Sequence, residues 1–150
     1  MRWTRGEAAV RRLIDQRRLQ QVVGADADGW AWVERAERTT STARTVANAD
    51  PDSAYVLAYD AARQACAALL AQQGLRATSE GGHYVVEEVV RAQFGDLSRR
   101  FGMLRRRRNE LEYQTIAGDR ATPAEVAAAL DDAHEIIDAV QRLLPNLGIF

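Results

Sequence analysis

The stretch Asp50-Pro51-Asp52-Ser53-Ala54-Tyr55-Val56-Leu57-Ala58-Tyr59-Asp60-Ala61-Ala62-Arg63-Gln64-Ala65-Cys66-Ala67-Ala68-Leu69-Leu70-Ala71-Gln72-Gln73-Gly74 decides the fold. Pro is tolerated in a first helical turn, where the N–H groups have no partner, and Asp suits the positive helix end. Gly74 supplies the stop. Between these signals Tyr55, Tyr59, Ala62, Cys66, Leu69 and Leu70 recur at helical spacing, and Ala61, Ala65 and Ala68 let a neighbour approach closely. This is the core helix of an all-helical chain.

The flanking sequence follows the same period. Thr4-Arg5-Gly6-Glu7 fits a capping box and predicts a first helix from Arg5 to Val23, stopped at Gly24. Trp30, Val33 and the run Ala36 to Ala47 predict a second helix, whose packing face is ill defined because Thr and Ser interrupt it. Thr78-Ser79-Glu80-Gly81-Gly82-His83 predicts a loop into a helix over Tyr84 to Phe94, and Gly95-Asp96 separates it from a long helix over Leu97 to Gln114. Thr122-Pro123-Ala124-Glu125 is a second capping box, opening a last helix that ends near Leu144, before Pro145. No run of alternating β-branched and polar residues predicts a sheet. The expected architecture is an antiparallel bundle of five to six helices in one domain spanning 1–150, with 1–48 as its helical N-terminal extension.

Bulk properties narrow the function classes. The chain has 150 residues and a formal charge of −1, which excludes a uniformly basic nucleic-acid coater but leaves room for a local patch. One cysteine, Cys66, and two histidines, His83 and His134, build neither a disulfide nor a structural zinc site, so no metal and no cofactor is expected. The longest apolar run, Ala65 to Ala71, is far shorter than the roughly 20 residues that span a bilayer. The expected location is the cytoplasm, away from membranes.

On the long helix Leu97, Phe101, Leu104, Leu111 and Thr115 fall on one stripe, and Arg108 sits in its middle, whereas Arg106 and Arg107 project sideways or outward. A guanidinium keeps its charge, so burial there demands a carboxylate, a phosphate or a wet cleft. A structural salt bridge to another helix satisfies the demand as well as a ligand does. Arg105-Arg106-Arg107-Arg108 wraps more than one turn and presents positive charge over a broad arc, for which phosphate is a natural partner and a solvated Arg/Glu face the plain alternative. Asn109 and Tyr113, four apart, share a face.

The Arg108-Asn109 pair, the Tyr59-Asp60-Ala61-Ala62-Arg63 helix and the Gly81-Gly82-His83 loop together resemble the HEPN superfamily, over residues 53–144. The likeness is to small stand-alone actinobacterial members whose motif reads Arg-Asn-x-x-Glu-Tyr. The resemblance implies a bundle that forms a homodimer about the motif helix, with a site for RNA or a nucleotide across the interface. Many members are metal-independent ribonucleases of toxin or defence type. By this resemblance the catalytic set is Arg108, Asn109 and Tyr113, with Arg105, Arg106, Glu112 and His83 lining a phosphate or RNA cleft. Family nucleases place a His where this chain has Tyr113, and an unperturbed tyrosine, with a pKa of about 10, is a poor base at neutral pH. Tyr113 retains the capacity to position a ribose hydroxyl or to stack on a base. A non-catalytic binding or assembly module is therefore the competing reading. Some relatives partner an antitoxin or a small nucleotidyltransferase that modifies a tyrosine two positions beyond the His; Thr115 stands there in this chain.

The remaining candidates read as structure. His134, among Asp131, Asp132 and Glu135, is expected to be solvated. Trp3, Trp30 and Trp32 are expected in the core or in subunit contacts. Cys66 is expected to be an inert buried thiol.

Overall fold

The computed structural model describes residues 2–80, 82–113 and 116–150, with the side chain of His83 outside the description. Six α-helices are present among the described residues: α1 (Glu7–Asp15), α2 (Gly29–Val46), α3 (Pro51–Gln72), α4 (Gly82–Gln93), α5 (Gly95–Tyr113) and α6 (Pro123–Leu143). Two short strands, β1 (Leu19–Gln21) and β2 (Leu75–Ala77), pair antiparallel with Leu19 opposite Ala77 and Gln21 opposite Leu75. The all-helical bundle is thus the architecture, with one small two-stranded addition.

α3 is the hub, packing against α2, α4, α5 and α6. Its alanines allow this: Ala54, Ala58, Ala61, Ala62, Ala65 and Ala68 are all fully buried, so neighbouring helices settle on several sides of one backbone. Asp50 caps α3 by accepting from the Ser53 N–H at 3.2 Å. One close approach is at the start of α2, where a Cβ added to Gly29 would lie 2.6 Å from the Ala68 carbonyl oxygen. The Gly29 N–H donates to Gln72 Oε1 at 3.0 Å, fixing the ends of the two helices together. The packing face of α2 is well defined after all, with Val33, Ala36, Thr40 and Ala43 buried at steps of three and four. Thr40 enters this face because its hydroxyl donates back to the Ala36 carbonyl at 2.9 Å.

Two buried amides join α4 to the end of α3. Gln73 Nε2 donates to Gln93 Oε1 at 2.9 Å, and Gln93 Nε2 returns a bond to Gln73 Oε1 at 2.8 Å. Both residues are wholly buried, and Gln73 Nε2 also reaches the Leu69 carbonyl at 3.0 Å. Cys66 is buried in the same core, where desolvation pushes its thiol up to about 12.

The amino-terminal expectation is corrected in two places. The first helix ends at Asp15 rather than at Val23, because Arg17 takes a left-handed φ of 61° and turns the chain into β1. Thr78 secures that reversal, its hydroxyl donating to the Arg17 carbonyl at 2.7 Å and its N–H to the Arg18 carbonyl at 3.0 Å. The Thr4 capping box does not form, since the N-cap is Gly6 at φ 76° with no side-chain cap, and Glu7 turns to Arg2 and Arg11 instead. Gly6 is required there: a Cβ would meet the Ala92 backbone at 2.9 Å. Val10, Leu13 and Leu19 join the same apolar cluster as α3, so residues before α2 pack into the common core. The second predicted box does form, with the Thr122 hydroxyl accepting from Glu125 N and the Glu125 carboxylate from Thr122 N. Among the described residues no helix is long and apolar enough to cross a membrane.

Candidate functional site

The four consecutive arginines of α5 take four different environments. Arg107 is the structural one. It reaches Glu125 at 2.7 Å, Asp119 at 2.6 Å, Glu110 at 3.0 Å and the Arg120 carbonyl at 3.2 Å, tying α5 to the connection before α6 and to the first turn of α6. Of the sideways or outward placement expected for Arg107, the outward alternative is set aside: the side chain is 21% exposed and turned to Asp119 and Glu125. The Arg107 guanidinium holds the Asp119 and Glu125 carboxyls below their ordinary values. Arg106 is exposed, as its phase on the helix predicts.

Arg108 faces α3. Its guanidinium lies over the ring of Tyr59, 5.4 Å from the centroid, and Tyr59 stacks in turn on Phe101 at 5.6 Å with an 8° interplanar angle. Tyr59 is 1% exposed, and burial raises its phenol above the ordinary value, so it serves as a neutral aromatic floor. Arg108 Nη2 pairs with Glu112 at 2.6 Å, and Nη1 donates to Asn109 Oδ1 at 3.2 Å. Both partners belong to α5 itself. The Arg108 side chain is 17% exposed and its Nε is shut off from water without a hydrogen-bond partner, so the guanidinium is half-buried on its aromatic support.

Arg105 points to α4. Its Nε and Oε2 of Glu87 approach to 2.5 Å as an ion pair, without the alignment of a hydrogen bond. Its guanidinium lies 5.4 Å from the ring centroid of Tyr84, which is 61% exposed. Glu87 is buried, and Gly102 makes room for it, since a Cβ there would lie 3.1 Å from Glu87 Oε1.

The structure thus brings Arg108, Asn109 and Glu112 together and sets Arg105 beside them on the same helix. Tyr113 closes α5 and is 72% exposed, with no hydrogen bond to Asn109. Leu97, Phe101, Leu104 and Leu111 form the inward stripe as predicted, whereas Thr115 lies outside the described residues. The expected part of the His83 side chain in the cleft lies outside them too. His134 is exposed on α6. Among the described residues no group of three or more His, Cys, Asp or Glu side chains could hold a metal ion.

Sequence reading missed the supporting residues. Glu87 is a carboxylate inside the run Val85-Val86-Glu87-Glu88-Val89-Val90, and one charge on the apolar face of that helix was the available signal. Tyr59 was visible as a core residue, but not as the support of Arg108, because that needs the packing of α3 on α5.

Comparison with curated proteins and with solved structures gave no match. The model of the HEPN domain matches residues 30–143, which spans α2 through α6 and leaves α1 and β1 outside. That reach is longer at its amino-terminal end than the motif likeness over 53–144 indicates. With the matched region covering most of the chain and the helical bundle in place, the chain belongs to the HEPN family.

Proposed function

We propose that the chain binds single-stranded RNA through the α3–α5 face centred on Arg108, as a homodimer whose two copies of this face form one cleft. The observation that carries the reading is the seating of Arg108 on Tyr59, 5.4 Å from the ring centroid, with Asn109 and Glu112 fixing its direction. A guanidinium held this way is oriented before a phosphate arrives and loses little freedom on binding it. Tyr113, exposed at the end of the same helix, supplies an aromatic surface for a base, and Arg105 and the exposed Arg106 extend the positive field. His83 lies in the first turn of α4 and Glu112 stands at the rim.

Binding is favoured over rapid cleavage, because the His place of the family nucleases is occupied by Tyr113. A structural role for Arg108 is disfavoured by its partners, which lie within α5 apart from the Tyr59 ring, whereas Arg107 and Arg100 carry polar links from α5 to α6. Titration of labelled single-stranded RNA against the protein at several salt concentrations tests the reading, with the mass of the complex measured by sedimentation. Binding that weakens steeply with salt, by a species of twice the chain mass, is expected. Salt-independent retention or a monomeric binder would contradict it.

A further inference from the structure

Among the described residues Glu87 is the one charged residue that is buried, at 6% exposure. A buried carboxylate is costly to desolvate, and an apolar side chain of similar volume would serve the packing of α4 on α5 at least as well. A second cost accompanies it. Gly102 stands in the interior of α5, where glycine weakens a helix, and a Cβ there would lie 3.1 Å from Glu87 Oε1. Packing alone explains neither residue.

What Glu87 holds is Arg105. Arg105 Nε and Glu87 Oε2, both closed to water, face each other at 2.5 Å, while Arg91, 64% exposed, stands 3.8 Å from Oε1 as a looser second partner. The Tyr84 ring supports the same guanidinium, 5.4 Å from its centroid. Neither terminal nitrogen of Arg105 donates a hydrogen bond among the described residues. Those of Arg107 meet Glu110 and Asp119, and those of Arg108 meet Asn109 and Glu112. Of these three guanidiniums Arg105 therefore keeps the edge that matches a phosphate in two-pronged fashion. Arg105 and Arg108 are three apart on α5, about 5–6 Å between Cβ atoms, and the charges of both act on the Tyr59 phenol.

We infer that Glu87 is a positioning residue for RNA binding: from α4 it pins Arg105 at Nε, so that the terminal nitrogens of Arg105 meet a strand phosphate beside the one on Arg108. Glu87 itself does not touch the RNA. The inference rests on the proposed RNA binding and adds a second, pre-aimed guanidinium to that face.

The sign of one substitution separates positioning from simple charge. By its field alone, loss of a carboxylate tightens the binding of a polyanion; loss of positioning weakens it. The test uses the full chain, its Glu87→Gln, Glu87→Met, Arg105→Gln and Arg108→Ala variants and the Glu87→Gln/Arg105→Gln double variant, with a short labelled oligoadenylate as probe. Circular dichroism and urea unfolding are read on each. Arg105 is 22% exposed and reaches water once released, so both Glu87 variants are expected to fold. Binding about threefold to tenfold weaker in Glu87→Gln and Glu87→Met, about tenfold weaker in Arg105→Gln, and no weaker in the double variant than in Arg105→Gln supports the inference. Arg105→Gln is also expected to reduce the salt slope by about one phosphate contact. Unchanged or tighter binding by a folded Glu87 variant, or additive losses in the double variant, overturns it, and if Arg108→Ala still weakens binding the Arg108 face stands without Glu87. Loss of the fold in both Glu87 variants makes Glu87 a structural residue and overturns it too. A parent that binds no oligonucleotide removes the RNA reading itself, and this inference with it.

Discussion

Arg107 and Asp119 meet through two parallel contacts, Nη1 to Oδ2 at 2.6 Å and Nη2 to Oδ1 at 3.1 Å, so that a planar fork on α5 grips the segment leading into α6. Glu125 meets the same guanidinium and at the same time closes the Thr122 capping box. One side chain therefore coordinates a helix start and a loop. Arg107→Ala is expected to lower stability by about 2 kcal/mol, a charged hydrogen-bond network discounted for partial solvent access. Arg106→Ala, one residue away and exposed, is expected to stay within about 0.5 kcal/mol. Urea unfolding of the two variants checks the contrast.

The same network sets an acid limit. Asp119 and Glu125 have ordinary values of 3.8 and 4.5 and are lowered in the folded chain, chiefly by hydrogen bonds from Arg107. A carboxyl with a lowered folded value stabilises fully above its unfolded value and loses that contribution as pH falls through the folded one. The parent is thus expected to lose stability as pH drops below about 4.5, and Arg107→Ala to show a shallower loss there. Thermal melts at a series of pH values give the slopes.

The reciprocal amide pair of Gln73 and Gln93 yields a cycle. Removing one partner by Gln93→Leu leaves the Gln73 amide short of a partner in a fully buried site, at an expected cost of about 1–3 kcal/mol. Replacing both by Leu removes the unmet groups, so the double variant is expected to be more stable than the sum of the singles. Additive losses in denaturant unfolding would contradict that coupling.

These features differ in how far the sequence discloses them. Asp50-Pro51 and Thr122-Pro123-Ala124-Glu125 act through bonds within a few residues, so their helix starts are readable locally. The end of α1 is not, because Arg17 takes a left-handed conformation that its residue type rarely adopts, and the reversal is held by Thr78 from far along the chain. Leu19-Gln20-Gln21 carries no strand preference, and its pairing with β2 exists only because the fold sets the two segments side by side. At the site, Arg108 is readable as a charge out of place on a stripe. The structural role of Arg107 is not readable in the same way, because it depends on where Asp119 and the start of α6 lie in space.

Glu112 pairs with Arg108 at 2.6 Å and so competes with any phosphate for it. Glu112→Gln removes that competing charge. The expected result is RNA affinity raised by roughly threefold to tenfold, in line with about 1 kcal/mol for a partly exposed pair. Fluorescence anisotropy with labelled RNA measures the change, and weaker binding would assign Glu112 to contacts with the RNA itself.

The most direct measurement compares the parent with Arg108→Ala on end-labelled mixed RNA in the presence of a chelator, reading retention and cleavage together, with circular dichroism and sedimentation mass matched beforehand. Because the partners of Arg108 lie on its own helix and on one ring, the variant is expected to fold and assemble as the parent does. The parent is predicted to retain RNA, with little or no cleavage, and the variant to bind at least about tenfold more weakly, the scale of one lost charge-assisted contact. Equal retention by the two folded proteins would contradict a phosphate-binding role for Arg108, and a variant that melts would make Arg108 a structural residue.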